Sequence, residues 1–411
     1  MKVKFLTLGC KVNQYETQGL KEKFLSLGCE TTQDKADFYV INTCSVTQKA
    51  DHKSKQAILK AKKENSKAKI VVSGCLAQLD KEFIEELGVD YVIPQDQKHL
   101  LPEIVLNLPQ LKNNISRPLR ITHFSNHRAF IKVQDGCDHF CSFCKIPYLR
   151  GKPKSQPKVQ VLEEVKAVSQ NHKEIVLCGI NLGLYGKDLK SSYALEDLVE
   201  DILKIPDLGR LRLSSLEPIL VSKKLLSFLS HKKLCPHLHL PFQYGDDYIL
   251  NKMNKKETVA LYEDLVKASR KINPSIALSC DIMVGFPEET EKSFQNTVDF
   301  LNRIKPMRMH IFTFSPRQKT KVYSAKVNNR QLVRARYDVL KELAARFSLN
   351  YQKKFIGKTL DLVAEERSNG SISGYTENYL KVQIKEKALL GEIIPVRINK
   401  VEGSRLFGQL D

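Results

Sequence analysis

The sequence has no apolar run approaching the ~18 residues that a membrane-spanning helix requires, so no integral membrane protein is expected. Nor does it carry a signal-peptide core. The stretch Met1 to Cys10 looks like a lipoprotein cleavage site, but its apolar part falls far short of ~7–15 residues, and the chain is read as mature and cytoplasmic. Internal repeats and low-complexity tracts are missing as well. Acidic residues are scarce: 46 Asp and Glu against 66 Lys and Arg leave a net charge of +20. A charge of that size points to a polyanion such as nucleic acid or an anionic membrane, the plainer reading being a soluble basic surface.

What is present suits a folded chain of several domains, with 411 residues, 42% of them hydrophobic and 27% charged. Ten cysteines without a signal peptide indicate thiols, metals or redox chemistry in a reducing compartment. Over the first hundred residues, β-branched runs at 3–8, 38–42 and 70–73 alternate with helical patterns, of which 14–27 carries Leu20, Phe24 and Leu27 on one face. A cysteine follows each run: Cys10, Cys44 and Cys75. Ligands of parallel sheets collect outside the carboxyl ends of the strands, so these three are expected to converge. Residues 102–118 read as a linker. Six further strands, at 129–133, 174–178, 211–214, 237–240, 277–283 and 309–314, suggest a partial or complete parallel barrel. A long helix is expected over 329–351, and five short strands (360–364, 371–375, 379–384, 393–398 and 406–410) suggest a small all-β barrel.

The strongest local signal is Gly136-Cys137-Asp138-His139-Phe140-Cys141-Ser142-Phe143-Cys144, a C-x3-C-x2-C loop after the first barrel strand. Three thiolates can hold three corners of a four-iron cluster and leave one iron open to an external ligand. A zinc knuckle completed by a residue such as His139, or chance clustering, are the alternatives. Gly179-Ile180-Asn181 begins a glycine-rich turn after the second strand, which chain reversal alone could require. Glu217 ends a strand, where it could contact a ligand, cap a helix or face solvent. Cys29, Cys178, Cys235 and Cys280 read as buried packing residues. Basic groups gather at Lys152, Lys154 and Lys158, at Arg303, Lys305 and Arg308, at Arg317, Lys319 and Lys321, and at Lys353, Lys354 and Lys358. They fit a long anionic ligand. Tyr375 and Tyr379 could stack on bases or simply pack.

The cysteine loop resembles the signature of radical S-adenosylmethionine (SAM) enzymes, in which the open iron chelates SAM. The resemblance implies reductive release of a 5′-deoxyadenosyl radical, with Phe143 near the adenine if it is not merely packed. Leu8-Gly9-Cys10-Lys11-Val12-Asn13-Gln14, Asn42-Thr43-Cys44-Ser45-Val46-Thr47, Gly74-Cys75, Tyr148-Leu149-Arg150-Gly151 and Asp281-Ile282-Met283-Val284-Gly285-Phe286-Pro287 are similar to the methylthiotransferases. That resemblance covers nearly the whole chain. It implies an α/β protein with an N-terminal methylthiotransferase domain over residues 1–115, a radical SAM (β/α) barrel over 123–351 and a TRAM RNA-binding barrel over 352–411. Two 4Fe–4S clusters follow from it, a radical SAM cluster on Cys137, Cys141 and Cys144 and an auxiliary cluster on Cys10, Cys44 and Cys75. Gly179, Asn181 and Glu217 would then lie by the SAM site.

The first of these motifs, with Gly374-Tyr375-Thr376-Glu377-Asn378-Tyr379-Leu380, most resembles the branch acting on threonylcarbamoyladenosine of tRNA. Isopentenyladenosine of tRNA and a ribosomal protein are the alternative substrates, and a noncatalytic metal-stabilised RNA-binding module is the alternative of another class. The implied partners are the tRNA anticodon arm and an electron donor such as flavodoxin or ferredoxin, with the chain monomeric and no membrane involved. The sequence departs from the family pattern at three places: Tyr244 replaces Ser, and Glu288 and Lys319 replace Gly.

Overall fold

The structure is a computed structural model that describes residues 1–108, 119–190, 192–403 and 405–411. It begins with a five-stranded parallel sheet in the order β2-β1-β3-β4-β5, formed by β1 (Lys2–Thr7), β2 (Glu30–Thr31), β3 (Phe38–Thr43), β4 (Lys69–Gly74) and β5 (Tyr91–Ile93). Alternate side chains build a core on each face. Val3, Val40 and Val71 meet Leu20 and Phe24 of helix α1 (Lys11–Ser26), while Ile41, Ile70 and Val72 meet Ile58 on the other side. The three expected strands are present, and the two- and three-residue β2 and β5 are additions too short for a periodic signal.

The expected linker is helical at its start: Pro102 sits in the first turn of Leu101–Val105, where its missing N–H leaves no bond unmade. Residues 109–118 of that linker lie outside the described residues.

Six parallel strands follow: β6 (Arg128–Lys132), then β9 (Glu174–Cys178), β10 (Arg210–Leu213), β11 (His237–Gln243), β12 (Ala277–Val284) and β13 (Arg308–Thr313). An antiparallel pair, β7 (Gln134–Asp135) and β8 (Lys154–Ser155), brackets the cysteine loop. The runs β6-β9-β10 and β11-β12-β13 are joined by the bridge Ser215–His239. Among the described residues β13 and β6 do not pair, so the barrel is partial. Val12 and Tyr15 of α1 pack into the barrel's core, as do Leu340, Leu343 and Phe347 of the helix Arg330–Lys353.

The last five strands are β14 (Thr359–Ser368), β15 (Ser371–Thr376), β16 (Lys381–Ile384), β17 (Ile393–Glu402) and β18 (Arg405–Leu410), which close in the order β14-β15-β16-β18-β17. This unit docks on the amino ends of the parallel strands, opposite the end that carries the cysteines. Fully buried Glu174 accepts from Arg210 Nε at 2.6 Å and Arg212 Nε at 2.7 Å. The same arginines donate to the tail's backbone, Arg210 to Tyr375 O at 2.8 Å and Arg212 to Thr376 O at 3.0 Å. Arg128 pairs with Glu365 and lies 4.5 Å over the Tyr375 ring, which stacks on Tyr379 at 4.9 Å. Of the two readings left open for these tyrosines, the structure therefore favours packing at a domain seam over base stacking.

The departures from the family pattern also find places. Glu288 and Lys319 adopt φ of 66° and 67°, so the backbone keeps the left-handed turn for which glycine is suited. Tyr244 is buried against the helix Glu291–Ile304, close to Ser293 and Thr297.

Two outcomes follow from this architecture. Burial alone would raise the Glu174 carboxyl, but Arg210 and Arg212 hold it at about 2. A depressed carboxylate stabilises the fold above its unfolded value of 4.5, and that contribution fades as pH falls toward 2. Glu174→Gln should therefore cost about 3–5 kcal/mol at pH 7 by leaving buried guanidiniums uncompensated. Limited proteolysis should then cut between the long helix and β14, and unchanged melting and digestion would contradict this seam. Lys319→Gly, at an exposed left-handed position, should raise stability by about 1 kcal/mol in a melting experiment.

Candidate functional site

The cysteine loop leaves β7 at Gly136, where φ is 72° and a Cβ would lie 2.1 Å from Lys152 O, so only glycine fits. Backbone bonds then pin the loop. Cys137 N–H donates to Gly151 O at 3.0 Å, Ser142 N–H to Met253 O at 2.9 Å and Cys144 N–H to Cys141 O at 2.9 Å. Asn254 Nδ2 donates to Phe140 O at 3.0 Å. Burial pushes the Cys144 thiol up to about 11 and the Cys141 thiol higher still, with Glu217 opposing negative charge at both. Glu217 sits at the start of the short turn Pro218–Leu220 but makes no side-chain capping bond; it forms an ion pair with Lys255, whose ammonium also faces Glu257 at 3.5 Å. Burial, followed by the hydrogen bond to Glu217, pushes the Glu257 carboxyl up to about 7.

Gln134 couples the loop to the glycine-rich turn. Its Nε2 donates to Gly136 O at 2.7 Å, and its Oε1 accepts from Asn181 N–H at 2.9 Å. A Cβ on Gly179 would come 2.9 Å from that Oε1, so here close approach explains the glycine. Asn181 faces Cys137, and its own Oδ1 is buried without a hydrogen-bond partner. Phe143 is half-buried and sits edge-on to Phe286 with ring centres 6.5 Å apart.

The second set lies at the carboxyl ends of β1, β3 and β4. Gly9 and Gly74 have φ of 96° and 97°, and a Cβ on Gly9 would strike Cys44 Sγ at 2.8 Å. Asn13 Nδ2 ties two of these ends together by donating to Leu8 O at 2.7 Å and Thr43 O at 3.0 Å. Cys44 and Cys75 are buried and Cys10 opens to solvent. Burial raises the Cys44 thiol to about 11, and Cys75 and Cys10 are close enough to oppose its ionisation.

The two sets meet through their neighbours in sequence. Lys145 Nζ, one residue past Cys144, donates to Ser45 Oγ, one residue past Cys44, at 2.8 Å. Arg317 reaches the same serine's carbonyl at 3.0 Å and Asp51 at 2.5 Å, so it is a buried linker and not a surface cation. Burial and then Arg317 push the Lys145 ammonium down to about 8. Beside this seam Glu16 accepts from Lys98 at 2.7 Å, Arg150 at 2.8 Å and Lys132 at 3.0 Å. A cavity of about 550 Å³ opens there, lined by Glu16, Lys98, Lys132, Gln134 and Asp135 among others. Sequence reasoning assigned no part to Glu16, Lys98, Lys132, Lys145 or Lys255. The hydrogen-bond partners named here lie 38 to 134 residues away in the chain, and no local pattern marks them.

Spacing tests the donor sets. Tetrahedral zinc with Zn–S bonds of about 2.3 Å would hold its sulfurs about 3.8 Å apart. Among the described residues no cysteine triplet brings its sulfurs within 4.8 Å of one another; the His239–Asp281–His310 group does so with its ligand atoms. Within each set the thiols are close enough to oppose one another's ionisation, Cys44 with Cys10 and Cys75, and Cys141 with Cys137 and Cys144, so each set offers three sulfurs in one place, the donor count of a four-iron cluster with one open corner. In the barrel lumen, Asp281 lies 3.3 Å from His239 Nε2 and 3.1 Å from His310 Nδ1.

Comparisons with known proteins agree with this geometry. Residues 2–94 match the Uncharacterized protein family UPF0004, and residues 131–301 match the Radical SAM superfamily. A threonylcarbamoyladenosine tRNA methylthiotransferase MtaB from Thermotoga maritima is 35% identical, covering 97% of this chain and 94% of that one. Its counterpart from Aquifex aeolicus is 37% identical over 97% of this chain and all of its own. A tRNA-2-methylthio-N(6)-dimethylallyladenosine synthase from Fervidobacterium nodosum is 31% identical over 100% of this chain and 99% of its own. Among solved structures, the radical SAM methyltransferase TsrM from Kitasatospora setae, with cobalamin and a [4Fe-4S] cluster bound, superposes with a TM-score of 0.58 at 13% identity over 90% of this chain and 80% of that one. That likeness speaks for the fold alone. With full-length relatives above 30% identity and three cysteines in each of two sets, the chain belongs to the radical SAM methylthiotransferase family, resembles its MtaB members, and uses SAM and iron–sulfur chemistry.

Proposed function

We propose that this enzyme places a methylthio group on carbon 2 of N6-threonylcarbamoyladenosine beside the tRNA anticodon. The observation that carries the reading is the Lys145–Ser45 hydrogen bond, which joins the two cysteine sets at one end of the barrel. Cys137, Cys141 and Cys144 hold the radical SAM cluster, and Cys10, Cys44 and Cys75 hold an auxiliary one. When bound, these groups and SAM supply the carbon-centred radical, the sulfur and the methyl group. The protein's part is positional. Gly136 and Asn254 fix the loop, the Glu217–Lys255 pair sets the charge beside it, and Phe143, Gly179 and Asn181 line the SAM side. Relatives named for threonylcarbamoyladenosine and the cysteine motif both support the substrate; relatives named for dimethylallyladenosine favour that base as the second reading.

The closed tail, residues 352–411, serves as a TRAM-type RNA grip. Lys353, Lys354 and Lys358 at its entry are exposed, whereas Arg303 and Lys158 of the other basic groups are taken up by Glu263 and Asp201. An electron donor of the flavodoxin or ferredoxin class serves a monomer.

Nucleoside mass spectrometry of tRNA from cells with and without this chain should show the methylthio derivative of threonylcarbamoyladenosine only in its presence; a methylthio isopentenyl product would select the second reading. Replacing Cys137, Cys141 or Cys144 with Ala should abolish 5′-deoxyadenosine formation under anaerobic reduction. Replacing Cys10, Cys44 or Cys75 should lower iron by about one cluster and abolish methylthiolation while SAM cleavage continues, because the two sets are separate. Methylthio product from these last variants would overturn the sulfur route.

Deleting the tail is a poor test of RNA binding, because Ala277 and Met307 share its core. Substituting Lys353, Lys354 and Lys358 with Gln is cleaner. Each lost phosphate contact should flatten the slope of log affinity against log salt by about 0.9. An unchanged slope would remove these lysines from the RNA interface.

A further inference from the structure

The lumen floor carries more positive than negative charge, and its anions are already taken. Glu174 is held by Arg210 and Arg212, Glu365 by Arg128, and Asp281 by His239 and His310. Two cations remain without a carboxylate among the described residues. Lys11 reaches in from α1, its ammonium 6.0 Å from the centre of the Phe130 ring on β6. Arg308, the first residue of β13, lies 4.9 Å over Tyr379 and 5.8 Å over Tyr375. Both are half-buried and lie against aromatic rings, with no hydrogen bond or ion pair among the described residues. The Tyr379 ring under Arg308 lies 4.7 Å from the His237 ring, and that imidazole is held well below its usual range by burial and by the cations around it, Arg212, Arg308 and Lys11 among them, so both cations lie near this one histidine. Lys11 is also the first residue of its helix, with no acid in the first turn, where the helix dipole disfavours a cation.

Cations left unpaired in a partly enclosed space imply an anion that arrives from outside. We infer that Lys11 and Arg308 form a carboxylate-receiving subsite in the lumen, which selects an N6 substituent bearing an acid over a hydrocarbon one. The inference rests on the tRNA-modifying reading above and deepens it. A ribose–phosphate backbone is too bulky to follow a single base between the strands, whereas a substituent on that base points ahead of it. Arg308 starts its strand and Thr313 ends it, so five steps of about 3.3 Å place the arginine backbone about 16 Å below the mouth. The Arg308 guanidinium lies over the tail's tyrosines at that depth, and the Lys11 ammonium enters beside Phe130 on β6.

The test uses the iron-loaded, anaerobic full chain and anticodon stem-loops carrying threonylcarbamoyladenosine, the same base with its carboxylate converted to a carboxamide, isopentenyladenosine, or plain adenosine. Affinity is read first and methylthio product second. The unaltered protein should favour the acid-bearing loop over its carboxamide. Lys11→Met and Arg308→Met should each weaken binding of the acid-bearing loop by about 10- to 100-fold, the worth of a hydrogen bond to a charged group, and leave the other three loops unchanged. Arg308→Lys should recover part of the preference. Because Lys11 adjoins Cys10, its variant is scored only at full iron content, and Arg308→Met decides if that content falls. Iron-replete variants that keep the full preference for the acid overturn the subsite while the substrate reading stands. An unaltered protein that acts on the isopentenyl loop and ignores the acid overturns the substrate reading and the subsite with it.

Discussion

One buried carboxylate organises the working end of this enzyme. Glu16, on the second turn of α1, receives Lys98 from the turn that follows β5, Lys132 from the end of the first barrel strand and Arg150 from just beyond the cysteine loop. Burial opposes its charge, yet the three cations, Arg150 foremost, hold its carboxyl well below the ordinary range. Such a group tolerates no vacancy, since any one partner withdrawn leaves charge stranded in a low-dielectric interior. Helix α1 is thereby locked in register against the barrel, and with it Cys10 at the helix start and Asn13, which spans two strand ends. Arg150 donates to Asn13 Oδ1 at 2.7 Å and so carries the constraint directly to the sheet. The mutual placement of the two cysteine sets depends on this knot as much as on the Lys145–Ser45 contact.

The far end of the barrel repeats the arrangement. Glu174 binds two arginines that also hold the backbone of the last domain, so the parallel strands are clamped to a partner at each end by a carboxylate shared among cations. Between these knots the lumen walls are polar, which is unusual for a small parallel barrel filled by branched apolar side chains. Histidines, an aspartate and the cations Lys11 and Arg308 stand where branched apolar side chains would otherwise pack.

Most of the architecture was legible in the sequence because parallel strands such as β4 and β9 are short apolar runs buried on both faces, because tail strands such as β15 alternate between buried and more exposed residues, and because glycines before Cys10, Cys75 and Cys137 mark turns that other residues cannot make. All six expected barrel strands and all five tail strands are present within a few residues of their expected limits. The two-residue β2 and the helix at Pro102 were hidden, the first by its brevity and the second because proline serves a helix start as well as a linker. At the site, the cysteines were visible through their spacing. The charged groups that hold them were not, since a pair such as Lys132 and Glu16 is a contact between distant segments that leaves no periodic trace. The tyrosines of the tail were ambiguous for the same reason: only the arginines that rise to meet them distinguish a seam from a base platform.

The tail's seat on the amino ends of the strands has a kinetic meaning. With Tyr375 and Tyr379 lying across the floor, the chamber is a blind alley whose traffic runs through the mouth beside the cysteines or the unpaired edge between β13 and β6. On the proposed function, a folded RNA loop seated on the mouth closes the first of these two routes. Small molecules consumed beneath it then exchange through the unpaired edge between β13 and β6 while the loop is seated, or through the mouth between its visits.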